Sequence, residues 1–141
     1  MGRTIPIIKI YDNLLVSIQV ELSDALVAEL KDDVTAEISR TGARGLIFEV
    51  SGVDILDSYI ARSIRDLSHI VQLMGVRAVI AGLDPSMAIT LVEMGLSMSG
   101  VSTALNLESA LEMLARQDRN DQLKLDAMLR EDAAGADEDV T

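Results

Sequence analysis

The chain has 141 residues, of which 49% are hydrophobic and 25% are charged, as expected for one globular domain with a short extension. Its net charge of -11 argues against binding to nucleic acids or to anionic membranes, because both need clustered positive charge. Its 2% aromatic content also argues against nucleic-acid binding, which uses aromatic rings to stack on bases. It has no cysteine and one histidine, His69, so we expect no metal site and no cofactor. The start of the chain lacks the apolar core of a signal peptide, and no apolar run is long enough to span a bilayer, so we expect a cytoplasmic protein.

Short strands and amphipathic helices alternate along the chain. The strands are runs of β-branched and apolar residues, and the helices carry apolar residues every three or four positions behind a short polar residue. In chain order we predict strands at 5–10 and 14–18, a helix at 23–42, a strand at 46–50, a helix at 57–75, a strand at 78–81, a helix at 84–95, a strand at 101–105 and a helix from 107. This order favours an α/β fold with a small mixed sheet of four or five strands and about four helices.

Local signals predict where several of these elements begin and end. Pro6 indicates an edge strand or the start of a strand, and Asp12-Asn13 predicts the turn of a hairpin between the first two strands. Asp57-Ser58 begins the second helix, and we expect Ser58 to cap it with its side-chain oxygen.

The composition changes at about Asp118. Residues 118–141 contain eight acidic and three basic residues and so contribute -5 of the net charge. Leucines and a methionine between 123 and 129 are able to prolong the last helix, whereas residues 133–141 have the composition of a disordered segment. We therefore divide the chain into a domain at 1–117 and an acidic extension at 118–141 that is partly or wholly disordered.

Several sequence blocks, in the same order and spacing, resemble the STAS family of anti-sigma factor antagonists, and within it the stressosome subunits of the RsbS type. The blocks are PIIKIY at 6–11, LLVSIQ at 14–19, EL at 21–22, VDILDS at 53–58 and LMG at 73–75. Free antagonists of this family usually carry DSSGLG at the site of regulation. This chain has DSYIAR at 57–62 instead, which favours the stressosome type.

The resemblance implies a STAS fold and a non-enzymatic scaffold that is phosphorylated on Ser58, with Asp57, Tyr59 and Arg62 beside it on the partner-binding surface. It implies four partners: an RsbT-like serine/threonine kinase that is released on phosphorylation, an RsbR-like STAS co-subunit, an RsbX-like phosphatase and further copies of the chain. RsbR-type paralogues carry a second phosphorylated threonine where this chain has Thr90. We treat Thr90 as a secondary site, because its hydroxyl is placed to bind a backbone carbonyl one turn back.

The residues alone leave other interpretations open. A hydrolase or transferase would need a general base near Ser58, but His69 is eleven residues along the same predicted helix, about 16 Å away. Glu49, Asp54 and Asp57 would offer a metal only oxygen ligands, and we expect them to be solvated loop acids. Within the family, the alternatives are a free anti-sigma factor antagonist that binds its kinase directly and a lipid-transport accessory, which would need a membrane transporter as its partner.

Overall fold

The computed structural model describes residues 5–19, 22–95 and 100–138. In chain order its elements are β1 (Ile7–Ile10), β2 (Asn13–Ser17), α1 (Asp24–Thr41), β3 (Gly45–Glu49), α2 (Ser58–Leu73), β4 (Arg77–Ala81), α3 (Pro85–Glu93), β5 (Ser102–Ala104) and α4 (Leu107–Glu138). Each predicted strand and helix is present, and the predicted α/β fold is confirmed.

The strands form one mixed sheet in the order β1-β2-β3-β4-β5. β1 and β2 are an antiparallel hairpin, while β2, β3, β4 and β5 are parallel. The turn of the hairpin lies at Tyr11 and Asp12, one residue earlier than predicted, and Tyr11 adopts a left-handed φ of 54°. Since Pro6 directly precedes β1 at the edge of the sheet, its missing N–H costs no ladder hydrogen bond.

The core lies between one face of the sheet and the apolar stripes of α1 and α2. Alternate strand residues supply its sheet side, and residues three or four apart supply its helix side. Its members include Leu14, Val16, Ile18, Leu46, Phe48, Ala78 and Ile80 from the sheet region, with Leu30, Val34, Ile38, Ile60, Ile64, Leu67 and Val71 from the helices. Leu15, Ile47 and Val79 point to the other face and are also buried, so the central strands are apolar on both sides.

Caps fix the ends of the helices where the sequence predicts them. The Ser23 hydroxyl accepts a hydrogen bond from the Leu26 amide at 3.2 Å, and α1 ends at Gly42, whose φ is 67°. Asp84 caps α3 by accepting from the Met87 amide at 2.8 Å. These bonds satisfy amide groups that have no partner inside the helix.

The chain divides into two compact units, Met1–Ala110 and Leu111–Thr141. The second unit continues α4 to Glu138, and 139–141 lie outside the described residues. No helix in the described part of the chain is long and apolar enough to cross a membrane.

Candidate functional site

The loop between β3 and α2 carries the predicted site. Because β2 and β3 are parallel, their carboxyl ends lie at the same edge of the sheet, which brings this loop beside Gln19 after β2. Val53 and Leu56 anchor the loop, with only 8% and 5% of their surface exposed, and the Val53 amide donates to the Val50 carbonyl at 3.0 Å. The polar residues between and after these anchors, Asp54 and Asp57, face outward.

Asp57, not Ser58, caps α2. Its backbone is extended, and its Oδ1 accepts a hydrogen bond from the Ile60 amide at 2.8 Å. A cap at Ser58 would need the Ala61 amide, which already donates to the Asp57 carbonyl at 3.1 Å. The expectation that Ser58 caps the helix is therefore wrong, because the aspartate one residue earlier holds the position from which a side chain reaches the third helical amide.

The Ser58 hydroxyl has no structural role among the described residues. Ser58 is the first residue of α2 and is half-buried, so its oxygen is partly accessible to solvent. Among the described residues, no hydrogen bond to its hydroxyl is present. A phosphate can therefore be added to this oxygen without breaking an interaction within the described part of the domain.

Tyr59 ties the start of α2 to the start of α1. Its hydroxyl donates to Asp24 Oδ1 at 2.5 Å, across 35 residues of sequence. This hydrogen bond to a carboxylate, with a smaller contribution from burial, raises the pKa of Tyr59 above its ordinary value. Tyr59 remains 37% exposed, so the aromatic ring also forms part of the surface around Ser58.

Arg62 follows Ser58 by four residues on α2, so both side chains lie on the same side of the helix. Arg62 is exposed, and it forms no ion pair with any residue that the structure describes. Arg65, the other arginine of α2, lies 3.5 Å from Asp66. Among the described residues, Arg65 therefore has a carboxylate within ion-pairing distance and Arg62 does not.

A cleft of about 380 Å³ opens beside the loop. Its lining consists of Gln19, Gly52, Val53, Asp54, Ile55, Asp57 and Ile60. A Cβ atom at Gly52 would approach Gln19 Cγ to 2.8 Å, so a larger residue there would have to displace the exposed Gln19 side chain. The charged side chains of the lining are two carboxylates, so the cleft does not suit an anionic ligand.

The structure also places the remaining candidates. Thr90 lies on α3, and its hydroxyl donates to the Ser86 carbonyl at 2.8 Å, as expected. Glu49 accepts from the Ser51 amide at 2.9 Å. Over the described ranges, no group of three histidine or acidic side chains is arranged to hold a metal ion.

His69 is on α2 as predicted, eleven residues after Ser58. At 1.5 Å per residue the helix separates the two by about 16 Å, which excludes a catalytic pair of Ser58 and His69. Sequence reasoning missed Asp24 and Gln19, because both reach the site only through tertiary packing. No local pattern in the sequence marks either of them.

Comparisons with known proteins agree with the fold. The family described as STAS domain matches residues 4–110. The S58E variant of RsbS from Moorella thermoacetica is 33% identical, with a TM-score of 0.71 over 82% of this chain and 97% of that one. A structure described as the molecular architecture of the stressosome, a signal integration and transduction hub, is 35% identical, with a TM-score of 0.72 over 81% of this chain and 99% of that one.

A longer relative matches over part of its length. The RsbT co-antagonist protein RsbRA of Bacillus subtilis is 28% identical over 121 residues, which are 79% of this chain. The match spans 43% of RsbRA, so the chain corresponds to less than half of that relative.

Proposed function

The chain belongs to the STAS domain family, and from this membership we propose that it is a stressosome subunit that holds an RsbT-type serine/threonine kinase and releases it when Ser58 is phosphorylated. Support for the stressosome comes from the 35% identity to a stressosome structure that the chain covers almost completely. The match to RsbRA, a co-antagonist of RsbT, supports an RsbR-like co-subunit and an RsbT-type kinase as partners. An RsbX-like phosphatase would return Ser58 to its unmodified state.

The observation that carries the proposal is that the Ser58 hydroxyl, at the first position of α2, makes no hydrogen bond with the residues that the structure describes. Asp57 supplies the cap and Ile60 is buried in the core, so neither the helix nor the packing depends on this serine. A phosphate there would lie at a helix N-terminus, where the helix dipole favours negative charge. The domain is thus expected to keep its fold in both states.

The charges around Ser58 explain how a phosphate would release a partner. Asp54 and Asp57 are exposed on the preceding loop, and Asp24 lies beside Tyr59. Phosphorylation adds about -1.5 to -2 charges to this acidic surface. An acidic patch of a partner at this contact would be repelled more strongly after phosphorylation. Each tenfold loss of affinity needs only about 1.4 kcal/mol.

A scaffold fits the site better than a catalyst. Nucleophilic catalysis by serine needs a base within hydrogen-bonding distance, and the histidine of α2 is about three turns away. The neighbouring carboxylate of Asp57 is engaged with the Ile60 amide. We therefore propose that Ser58 accepts a phosphate from another protein and carries out no reaction of its own.

Phosphosite mapping tests the site. The protein is incubated with an RsbT-type kinase and ATP, beside the variants Ser58→Ala and Thr90→Val. We expect labelling of the unmodified protein and of Thr90→Val, and none of Ser58→Ala, because the Thr90 hydroxyl is bound within its own helix. Undiminished labelling of Ser58→Ala would remove Ser58 as the regulated residue.

Size-exclusion chromatography tests the assembly. A stressosome subunit should enter a much larger particle when it is mixed with an RsbR-like protein, whereas a free anti-sigma factor antagonist should elute unchanged. The same mixture with the kinase added, before and after phosphorylation, shows whether the kinase leaves the particle. A kinase that stays bound to the phosphorylated particle would contradict release as the function of the phosphate.

A further inference from the structure

Arg62 has no described partner although it lies one helical turn from the proposed phosphorylation site. We infer that Arg62 binds the phosphate of phosphorylated Ser58, and that the modification withdraws this arginine from the surface offered to partners. The inference rests on phosphorylation of Ser58 as proposed above, and it adds a second residue whose state changes with the phosphate.

The spacing of the two residues favours the pair. Ser58 and Arg62 are four apart on α2, the spacing at which side chains of a helix meet. The acidic member stands toward the N-terminus and the basic member toward the C-terminus, which is the more favourable orientation. A guanidinium group also presents two parallel N–H groups that match two phosphate oxygens.

No other cation of the helix competes with Arg62 for this role. Arg65 is seven residues from Ser58 and lies beside Asp66. Three carboxylates surround the start of the helix: Asp54 and Asp57 line the cleft beside it, and Asp24 on α1 binds Tyr59. Since these groups repel a phosphate and Asp57 already occupies the Ile60 amide, the favourable partner within reach is Arg62.

The pair would change the surface in two ways at once. In the unmodified protein Arg62 is an exposed positive charge, and an acidic group of a partner is able to bind it. After phosphorylation the phosphate occupies the guanidinium group and adds negative charge beside it. A partner that depends on Arg62 loses its contact even where the added charge alone is screened by salt.

The test installs phosphoserine at position 58 during translation, so that it does not depend on any kinase. Phosphorus NMR then gives the second pKa of the phosphate, which is about 6 without a partner. Replacing Arg62 by Gln should raise this pKa by roughly 0.2 to 0.4 unit or more, as expected for the loss of one such pair on a helix surface. Arg62→Lys should keep most of the effect, because it keeps the charge.

Arg65→Gln is the matched control. It removes the same charge from the same helix, but two turns from Ser58, so it should shift the phosphate pKa much less than Arg62→Gln. Thermal unfolding of the unphosphorylated Arg62→Gln protein should match that of the unmodified protein, which shows that the arginine has no structural role before phosphorylation. Equal shifts for the two glutamine variants, or no shift for either, would overturn the inference.

These outcomes are separate from those that test the proposed function. If the kinase does not modify Ser58 but the installed phosphate binds Arg62, the proposed function fails and the pairing stands. If the kinase modifies Ser58 and the phosphate pKa does not respond to Arg62→Gln, the pairing fails and the function stands.

Discussion

The first turn of α2 gives a direct test of which residue holds the helix and which is available for modification. Asp57→Ala removes the side-chain oxygen that accepts from the Ile60 amide at 2.8 Å. The loss of such a cap costs about 1 kcal/mol of unfolding free energy, within a range of about 0.5 to 2. For a unit that ends at Ala110, this corresponds to a fall of roughly 4 °C in the melting temperature.

Ser58→Ala should behave differently. The Ser58 hydroxyl makes no hydrogen bond with the described residues, and alanine is a better helix former than serine. We therefore expect an unfolding free energy within about 0.5 kcal/mol of the unmodified protein. This variant would then be a clean control in kinase experiments, because any change in partner binding could not come from a weakened fold.

Asp57→Asn separates the cap from the charge. Asparagine keeps an acceptor oxygen at the same position and is an equally good capping residue, so most of the stability should remain. Urea unfolding followed by far-ultraviolet circular dichroism measures all three variants, and unchanged m values show that the comparison of midpoints is valid. A loss for Ser58→Ala as large as that for Asp57→Ala would refute the reasoning, since Ser58 would then be the cap.

Three further outcomes follow from the structure. The Tyr59 pKa is raised by Asp24, so the stabilisation from this bond is present below pH 10 and is lost as pH rises through the higher pKa of the folded protein. A tyrosinate absorbance titration should therefore place Tyr59 above the ordinary value of about 10, and Asp24→Ala should return it toward that value. Deletion of 118–141 should leave the melting temperature of the first unit unchanged and reduce the helical signal, and a fall of several degrees would show that the extension contributes to the fold. Ser58→Asp should weaken kinase binding less than phosphoserine, with a difference that shrinks at high salt, where the Debye length is only about 3 Å; an effect that ignores salt would indicate a steric mechanism instead.

The elements of the fold could be predicted because their signals are local. Ser23 and Asp84 cap helices and Gly42 ends one, and each acts on amides or carbonyls within four residues. The alternation of strands and helices then restricts the topology, since parallel strands need a crossover between them. The apolar spacing of a helix does not show where burial ends: Met74 and Met94 continue that spacing but are 40% and 38% exposed, because both helices end just before them.

The site could be predicted only in part. The sequence shows that Asp57 and Ser58 both suit a helix start, and geometry alone decides that Asp57 is the cap. The bond between Tyr59 and Asp24 joins two helix starts that are distant in sequence, so no periodicity reveals it. The proposed role of Ser58 in regulation comes from the resemblance to a family, because a half-buried serine at a helix start has no chemical signature of its own.

The separation of tasks between neighbouring residues bears on how such a switch works. Asp57 caps the helix, Val53 and Leu56 anchor the loop, and Ile60 is buried, while Ser58 contributes to none of these. A residue that is phosphorylated and dephosphorylated repeatedly must leave the domain folded in both states. A phosphate at this helix start should stabilise the domain by about 0.3 to 1 kcal/mol, because the helix dipole and the inferred pair with Arg62 both favour negative charge there. A loss of kinase affinity with no loss of unfolding free energy is therefore the combination that this arrangement requires.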